Sequence, residues 1–321
     1  MGRQAERNAQ LALPIRDGVA PSYLWVSTPF AGSMLDFLTV RFPDVAPHAW
    51  LARMARGDVV DAAGARLDPD STVKNGMRIW YYRELEAETP IPFDAQVLFQ
   101  DAHLVVVDKP HFLPVIPSGR FLQETLLVRL KKALALPHLA PIHRLDRETA
   151  GVVIFSHNPE TRGAYQSLFQ QRAVQKTYEA LAPPMAGRTF PFTYRSRMVD
   201  GAQFFVMCEE EGEPNSETLV ELIAQHGDVA HYRLHPHTGR KHQLRLHMAS
   251  LGAPILNDAF YPVAQPCKGD DFSAPLQLLA RSIGFIDPLT GAARSFCSEG
   301  VLAWADDKGA QDTMKPTQND G

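Results

Sequence analysis

A cluster of charged residues stands directly before an apolar run in PIHRLDRETAGVVIFS, residues 141–156. Asp146 lies between Arg144 and Arg147, and the following GVVIFS has the composition of a buried strand. We expect this carboxylate at the mouth of a sheet, where it stays ionised only with cationic or hydrogen-bonding support. An ionised, oriented carboxylate can act as a nucleophile or a general base. The alternative is a surface acid that pairs with a neighbouring arginine or caps a helix.

The tetrapeptide HRLD also invites comparison with the catalytic loop of protein kinases, H-R-D-L-x-x-x-N. The spacing differs, no G-x-G-x-x-G loop precedes it, and no asparagine follows at the required position. We therefore exclude a kinase.

A second basic segment, TGRKHQLRLH, predicts the start of a helix that favours anions. Thr238 can cap a helix that begins at Arg240, and the free N–H groups of a first turn attract negative charge. On such a helix Lys241 and Arg245 follow one face, which makes Arg245 a candidate to reach into an interior cleft. The alternative is an amphipathic helix whose cations face solvent.

Four histidines in and before this segment raise the hypothesis of a metal-dependent hydrolase. His242 and His247 are five positions apart and would point to different sides of a helix, while His235 and His237 flank a proline and fit a strand end. We therefore expect no metal, and keep the hydrolase as an alternative function.

Composition predicts a globular cytoplasmic protein. The 321 residues are 45% hydrophobic, and no apolar run approaches the length of a membrane span. The N-terminal segment lacks the long apolar stretch of a secretion signal. The three cysteines, Cys208, Cys267 and Cys297, lie far apart and fit a reducing compartment.

Charge is distributed unevenly along the chain. The net charge is −4, yet residues 233–247 hold arginine, lysine and histidine without any acid. In residues 109–132 all charged side chains except Glu124 are lysine or arginine. A locally basic surface on a mildly acidic protein still attracts phosphates. The alternative is a solvated charged face.

The pattern of apolar residues predicts two domains with polar ends. We expect loosely ordered ends at 1–20 and 306–321, a small α/β domain at 21–90 and a larger domain at 91–305. In the larger domain, NPETRGAYQSLFQQR predicts a helix capped by Asn158. VQKTYEALA predicts a strand. Strands and helices in this order predict an α+β fold, with a largely antiparallel mixed sheet flanked by helices.

Taken together, these segments resemble the RluA-type pseudouridine synthases over roughly residues 93–300. The resemblance is carried by LVVVDKPHFLPVIPSG, HRLDRETAGVVIFS, VQKTYEAL and TGRKHQLRLHMASLGAPILNDAFY. It implies the synthase catalytic fold, no cofactor, and structured RNA as the partner, either large-subunit rRNA or tRNA. The implied reaction breaks the glycosidic bond of a uridine, turns the uracil and rejoins it to the ribose through a ring carbon.

The resemblance also implies roles for individual residues. Asp146 matches the catalytic aspartate, which attacks or deprotonates the nucleoside, and Arg245 matches the cation that pairs with it. Tyr178 matches the tyrosine that packs against the flipped base and can help to remove the carbon-bound proton. The implied RNA contacts are Arg144, which fills the space left by the base, and His143, Lys176, Arg240, Lys241 and Lys109.

Residues 21–90 are similar, more loosely, to the small RNA-binding domain at the N-terminus of many such synthases. That domain favours rRNA over tRNA, and we expect a monomer. The segment APHAWLARMARGD keeps only Arg53 and Arg56 of a helix that is usually densely basic. Asn257 stands where the family usually has glycine, and Leu279 where many members have histidine. A non-catalytic RNA-binding protein on the synthase fold is the remaining alternative.

Overall fold

The chain forms two compact units in a computed structural model that describes residues 11–85, 87–203, 205–265 and 271–303. The small unit comprises the described residues up to 88 together with segment 117–123. The large unit comprises 89–116 and the described residues from 124 onward.

Segment 117–123 belongs to the small unit, although the division of the sequence into domains places it in the larger one. The backbone N–H groups of Leu122 and Gln123 donate to the carboxylate of Glu88 at 2.6 and 2.9 Å. These bonds are local to the small unit but distant in sequence, so that apolar patterns along the chain do not reveal them.

The small unit is an antiparallel three-stranded sheet with two helices. Its strands are β1 (Ser22–Trp25), β2 (Val59–Val60) and β3 (Arg78–Tyr81), in the order β1-β3-β2, and its helices are α1 (Met34–Arg41) and α2 (Pro47–Ala55). Ser33 and Asp36 form a capping box at the start of α1. The helices pack on one face of the sheet around Leu38 and Trp50, both fully buried.

The large unit contains one eleven-stranded mixed sheet. The elements are β4 (Gln96–Gln100), β5 (Leu104–Lys109), α3 (Leu126–Leu134), β6 (Ala140–Pro141), β7 (Ala150–Ser156), α4 (Pro159–Gln170), β8 (Gln175–Ala182), β9 (Phe192–Asp200), β10 (Met207–Glu210), β11 (Ser216–His226), β12 (Val229–Pro236), α5 (Gln243–Ser250), β13 (Leu278–Ile286) and β14 (Ala293–Cys297). The strand order in the sheet is β10-β9-β11-β12-β8-β13-β7-β5-β4, with β14 paired to β13 and β6 paired to β7. Among the described strands the pairing is antiparallel except between β13 and β7, which confirms the predicted α+β class.

Strand β7 lies inside the sheet, between β5 and β13, and all seven of its residues are buried. This position explains the unbroken apolar run, because a strand covered on both faces does not alternate. Helix α4 follows as predicted, with the Asn158 side chain accepting from the N–H of Glu160 at 3.0 Å and Pro159 in the first turn. The segment directly before β7 is thereby fixed at the edge of a rigid core.

The helices of the described residues are short, and the longest, α4, has 12 residues. None of them has the length and apolar character needed to cross a membrane.

Helix α5 begins later than predicted. Its first residue is Gln243, and it is preceded by His242 in a left-handed conformation with φ 55°. Thr238 therefore caps no helix: its hydroxyl accepts from the N–H of Glu217 at 2.9 Å and donates to the side chain of Gln243 at 2.7 Å. The Gln243 side chain also accepts from the N–H of Arg240 at 3.1 Å, so that Arg240 lies in an ordered loop before the helix.

Gly151 holds the parallel junction between β7 and β13, where it pairs with Ala280. Its φ of 111° is strained for any residue with a side chain. A Cβ at this position would lie 2.3 Å from the carbonyl oxygen and 2.7 Å from the amide nitrogen of Ala280. Only glycine lets the two backbones approach so closely.

We expect Gly151→Ala to lower the free energy of unfolding by at least about 2 kcal/mol, because the methyl group meets backbone atoms that belong to a central strand. Urea unfolding followed by circular dichroism measures the change. The matched control is Gly163→Ala in α4, where an added Cβ meets nothing within 4 Å and alanine is favoured by about 1 kcal/mol. Equal stability of the two variants would contradict the assigned role of Gly151.

Candidate active site

A cleft of about 570 Å³ in the large unit collects the segments that the sequence singled out. It is lined by the loop before β7, by the end of α4 with the start of β8, and by the segment that leads from β12 into α5. Asp146, Tyr178 and Arg245 all line it. Its volume lies within the range of ordinary small-molecule sites.

Two hydrogen bonds hold the backbone at Asp146 and Arg147 in place. The N–H of Thr149 donates to the carbonyl of Asp146 at 3.2 Å, and the ammonium of Lys109 donates to the carbonyl of Arg147 at 3.0 Å. The side chain of Asp146 is 31% exposed. Its carboxylate is thus held at the floor of the cleft and still accessible to a substrate.

Arg245 provides the cation that this carboxylate requires. It is 1% exposed, and its Nη1 donates to Oδ2 of Asp146 at 3.3 Å. Burial alone would lower the pKa of Arg245, but hydrogen bonds and charges from Asp258 and Asp146 outweigh burial, so that the pKa is raised above its ordinary value. The guanidinium stays charged beside Asp146.

Asp258 provides a second carboxylate partner for Arg245, and it was not predicted from the sequence. Its oxygens accept from Nε and Nη2 of Arg245 at 2.7 and 2.6 Å, and its side chain is fully buried. Oδ1 also accepts from the N–H groups of Phe260 and Tyr261 at 2.8 and 3.3 Å. The paired, planar geometry fixes the orientation of the guanidinium. In the sequence Asp258 directly follows Asn257 in LNDAFY, the segment that departs from the family pattern at its asparagine.

Both departures from the family pattern have a structural reason. Asn257 adopts φ 65°, a conformation in which asparagine is the usual substitute for glycine, and its side chain donates to the carbonyl of Pro275 at 2.9 Å. Leu279 is 1% exposed and packs with Ala150 and Leu181. The first replacement keeps the turn that presents Asp258, and the second fills an apolar core.

His242 is a further residue of the site whose place was not predicted. Its Nε2 lies 3.8 Å from Oδ2 of Asp146, and its Nδ1 lies 3.1 Å from the hydroxyl of Tyr261. That hydroxyl accepts from the N–H of Met207 at 2.8 Å, which leaves its own proton for Nδ1. The network therefore assigns the ring proton to Nε2, facing Asp146. Burial lowers the pKa of His242 to about 4, so the ring is neutral.

The other histidines of the metal hypothesis lie in separate places. His235 lies 3.1 Å from the carboxylate of Glu221, His237 is exposed, and His247 contacts buried hydroxyls. Across the described part of the chain, no three histidine, cysteine or acidic side chains converge as metal ligands. The described residues therefore offer no metal site for a metal-dependent hydrolase.

Tyr178 projects from β8 into the cleft and packs against the apolar core behind it. Burial, and then the negative charge of Asp146, raise the pKa of its hydroxyl well above the ordinary value. The phenol therefore stays protonated at neutral pH, with an aromatic face available to a ligand.

The predicted RNA contacts at the mouth of the cleft are Arg144, Lys176, Arg240 and Lys241. Arg144 is exposed. Lys176 Nζ donates to the carbonyl of Thr238 at 3.0 Å, and Arg240 Nε donates to the carbonyl of Asn215 at 2.8 Å. These two cations are held by neutral oxygens, and the structure records no carboxylate on either among the residues it describes. Arg172 also lines the cleft and was not predicted.

Two residues of the predicted RNA-binding set have other positions. Lys109 is 1% exposed, and its ammonium donates to three backbone carbonyls, so the predicted phosphate contact is wrong. Its position at the end of buried β5 carries the side chain inward. His143 lines the cleft but stacks on Phe169 and accepts from the N–H of Ile154 at 3.1 Å. Burial lowers its pKa to about 3, so it offers no positive charge to a phosphate.

Comparisons with known proteins identify relatives of this chain. The profile of the RNA pseudouridylate synthase family matches residues 103–250. The dual-specificity RNA pseudouridine synthase RluA of Vibrio vulnificus is 31% identical over 217 residues, which cover 62% of this chain and 81% of that protein. An uncharacterized RNA pseudouridine synthase of Synechocystis is 28% identical over 234 residues, covering 71% of this chain and 79% of the relative.

A solved structure, human RNA pseudouridylate synthase domain containing 1, superposes with a TM-score of 0.54 at 21% identity, covering 73% of this chain and all of that one. This likeness concerns the fold alone. The fold, the cleft and the sequence relatives together define an RNA-modifying isomerase. The chain belongs to the RluA-type RNA pseudouridine synthases, enzymes that convert uridine in RNA to pseudouridine.

We expect Asp258→Asn to lower the free energy of unfolding by roughly 3–5 kcal/mol, because it removes one charge of a buried pair. Urea unfolding measures the loss. The control is Glu217→Gln, whose carboxylate pairs with the 58% exposed side chain of Arg195 and should cost no more than about 1 kcal/mol. Similar losses in the two variants would contradict the structural weight assigned to Asp258.

Acid should destabilise the protein through its buried histidines. Burial lowers the pKa of His111, His242 and His247 to about 4 and that of His143 to about 3. The unfolded chain binds these protons near the ordinary pKa of about 6.5, so stability is present above that pH and is lost as pH falls toward 4. Urea midpoints between pH 7 and 4 measure this slope. His143→Gln should flatten it and the exposed control His237→Gln should not; identical slopes would contradict the prediction.

Proposed function

We propose that Asp146 is the catalytic carboxylate of this synthase and that its substrate is a uridine in structured RNA, either large-subunit rRNA or tRNA. The observation that carries the proposal is the carboxylate of Asp146 at the cleft floor, 3.3 Å from a guanidinium that is itself fully buried. The isomerisation needs no net oxidation or reduction, so side chains of the cleft can supply the required groups without a cofactor. The protein acts as a monomer in this proposal.

The chemistry places a single ionised acid at the ribose. The bond between C1′ and N1 breaks, the uracil turns, and a bond forms between C1′ and C5. The proton on C5 leaves and N1 gains one, so that the composition of the nucleoside is unchanged. Asp146 either attacks C1′ or removes a ribose proton, and both roles require the charged form. Arg245 supports that form, because its charge lies within hydrogen-bonding distance of Oδ2.

Tyr178 serves mainly as a packing surface for the flipped base. Its raised pKa supports this role over direct removal of the C5 proton, since a protonated phenol is a poor base. The ring lies beside Asp146 in the same cleft. A base stacked there would be held while it turns.

RNA is held by the cations at the mouth of the cleft. A base inside a helix must be flipped out at a cost on the order of a few kcal/mol. Arg144 is exposed beside Asp146 and takes the space that the base leaves. Lys176 and Arg240, whose side chains donate to backbone carbonyls, and Lys241 contact phosphates, which makes binding salt-dependent.

Ribosomal RNA is the preferred substrate in this proposal, ahead of tRNA. The preference rests on the small unit, whose two helices and antiparallel sheet resemble an appended RNA-binding domain. Recognition of folded RNA depends on shape, loops and unpaired bases, so that a second unit enlarges the surface that can select one site.

A complementation experiment tests the catalytic assignment and identifies the substrate. Pseudouridines are mapped across the total RNA of a strain in which the gene is deleted, and one missing position identifies the target. The parent gene should restore it, whereas Asp146→Asn should not, because an amide is neither a nucleophile nor a base.

The matched control is Asp228→Asn, an exposed carboxylate in a hairpin turn, which should restore the modification fully. Immunoblots establish equal amounts of the variants. Restoration by Asp146→Asn would refute the catalytic role of this residue, and no missing position in any RNA would refute the enzyme's proposed substrate class.

A further inference from the structure

The outer face of the small sheet, turned away from the core of that unit, carries several aromatic rings. Tyr23 lies opposite Trp80 and Trp25 lies opposite Arg78 in the pairing of β1 with β3. Residues directly opposite one another share a face, so these four side chains stand together. We call Tyr23, Trp25, Arg78 and Trp80 the aromatic face.

Two rings of the aromatic face are half-exposed. Tyr23 is 53% exposed and Trp25 is 47% exposed, whereas Trp80 is 3% exposed because Leu13 and Val60 pack over it. The exposed pair lies on β1, an edge strand of the sheet. Adjacent large aromatic residues on an open face are typical of binding surfaces.

Arg78 brings a positive charge to the same place. Its guanidinium carbon lies 4.2 Å from the ring centre of Trp25 and 5.2 Å from that of Tyr23. Its Nε is buried without a hydrogen-bond partner, and the ion pairs among the described residues include none with Arg78. The charge is therefore not neutralised by a carboxylate there.

The arginines in and directly after α2 are neutralised. Arg53 pairs with Glu84 and is largely buried against Trp50, and Arg56 pairs with both Glu84 and Asp58. The helix that the family resemblance would assign to RNA therefore offers no uncompensated charge from these two residues. Arg78 differs from them, because no carboxylate among the described residues pairs with it.

We propose that the aromatic face binds unpaired nucleotides of RNA, with bases stacked on Trp25 and Tyr23 and a phosphate accepting from Arg78. This proposal deepens the proposed function. It rests on that function for one point, that the bound RNA is the enzyme's substrate. Bases in single strands stack on aromatic side chains, whereas bases in a duplex have no free faces. An uncompensated arginine between two rings favours a polyanion over an apolar peptide.

Direct binding to the full-length protein tests this without requiring turnover. The probe is a fluorescein-labelled oligouridine of about ten nucleotides, and a blunt RNA duplex serves as comparison. Trp25→Ala and Tyr23→Ala should each raise the Kd for oligouridine between about fivefold and a hundredfold, the range for one lost base stack. Duplex affinity should stay unchanged. Arg78→Gln should reduce the salt dependence by about one unit of slope.

Several controls separate this contact from misfolding and from the catalytic assignment. Binding to the parent should quench the fluorescence of Trp25. Trp25→Phe keeps a ring and should retain oligouridine affinity, while losing that quenching. Val40→Ala, at a 71% exposed position of α1, should leave the Kd unchanged. Binding of oligouridine does not depend on Asp146 chemistry, so failure of either proposal is seen separately.

Two results would overturn the inference. Unchanged oligouridine affinity in Trp25→Ala and Tyr23→Ala would mean that RNA does not bind the aromatic face, and a protein partner would then be the alternative. An equal loss of duplex and oligouridine affinity would mean that charge or fold, and not base stacking, was altered.

Discussion

A guanidinium held between two carboxylates inside the large unit is the interaction on which the site depends. Removing the charges of Arg245 and Asp258 from water is costly, and the cost is offset only where the geometry is good and the remaining polar atoms are satisfied. Here Asp258 takes two donors of Arg245 and further N–H groups of its own loop. One side of the guanidinium is thus occupied, and its Nη1 is left directed at Asp146.

The fold supplies this arrangement from parts that have no sequence proximity. β7 and the glycine at its start fix the floor under Asp146, because the strand is locked between β5 and β13. α5, which packs on β9, β11 and β12, carries Arg245 into the cleft. The left-handed turn at Asn257 then brings Asp258 to the far side of the guanidinium. Each part is rigid, so that the accessible carboxylate is placed by its surroundings.

Local pattern predicted β7 and α4 but not the contacts between distant elements. The apolar run of β7 and the cap of α4 are decided by neighbours in sequence, and both were predicted correctly. The predicted start of α5 was wrong. The Gln243 side chain accepts from the N–H of Arg240 and from the hydroxyl of Thr238, so that Thr238 does not cap the helix. Lys109 looked like a surface cation, since nothing local reveals the three carbonyls that surround it. Asp258 escaped notice for the same reason: its partner lies on a different element.

The residue pattern indicated Asp146 and Arg245 as candidates, and resemblance to a family added Tyr178; all three line one cleft. Neither the pattern nor the resemblance could anticipate the protonation states around them. The neutral His242 and the raised pKa of Tyr178 follow from burial, which a sequence does not display. The aromatic face was invisible for a related reason, because strand pairing is what brings Trp25 beside Arg78.

The long separation between paired segments has a consequence for synthesis of the chain. The partners Asp146 and Arg245 are 99 positions apart, and β7 acquires its parallel neighbour only from β13 at Leu278–Ile286. Closing such loops costs conformational entropy before the contacts between their ends can stabilise the fold. The chain also leaves the ribosome from its N-terminal end. A growing chain therefore carries the aspartate segment without the cation or the strand that organises it until β13 has been synthesised. The cleft is a property of the completed sheet.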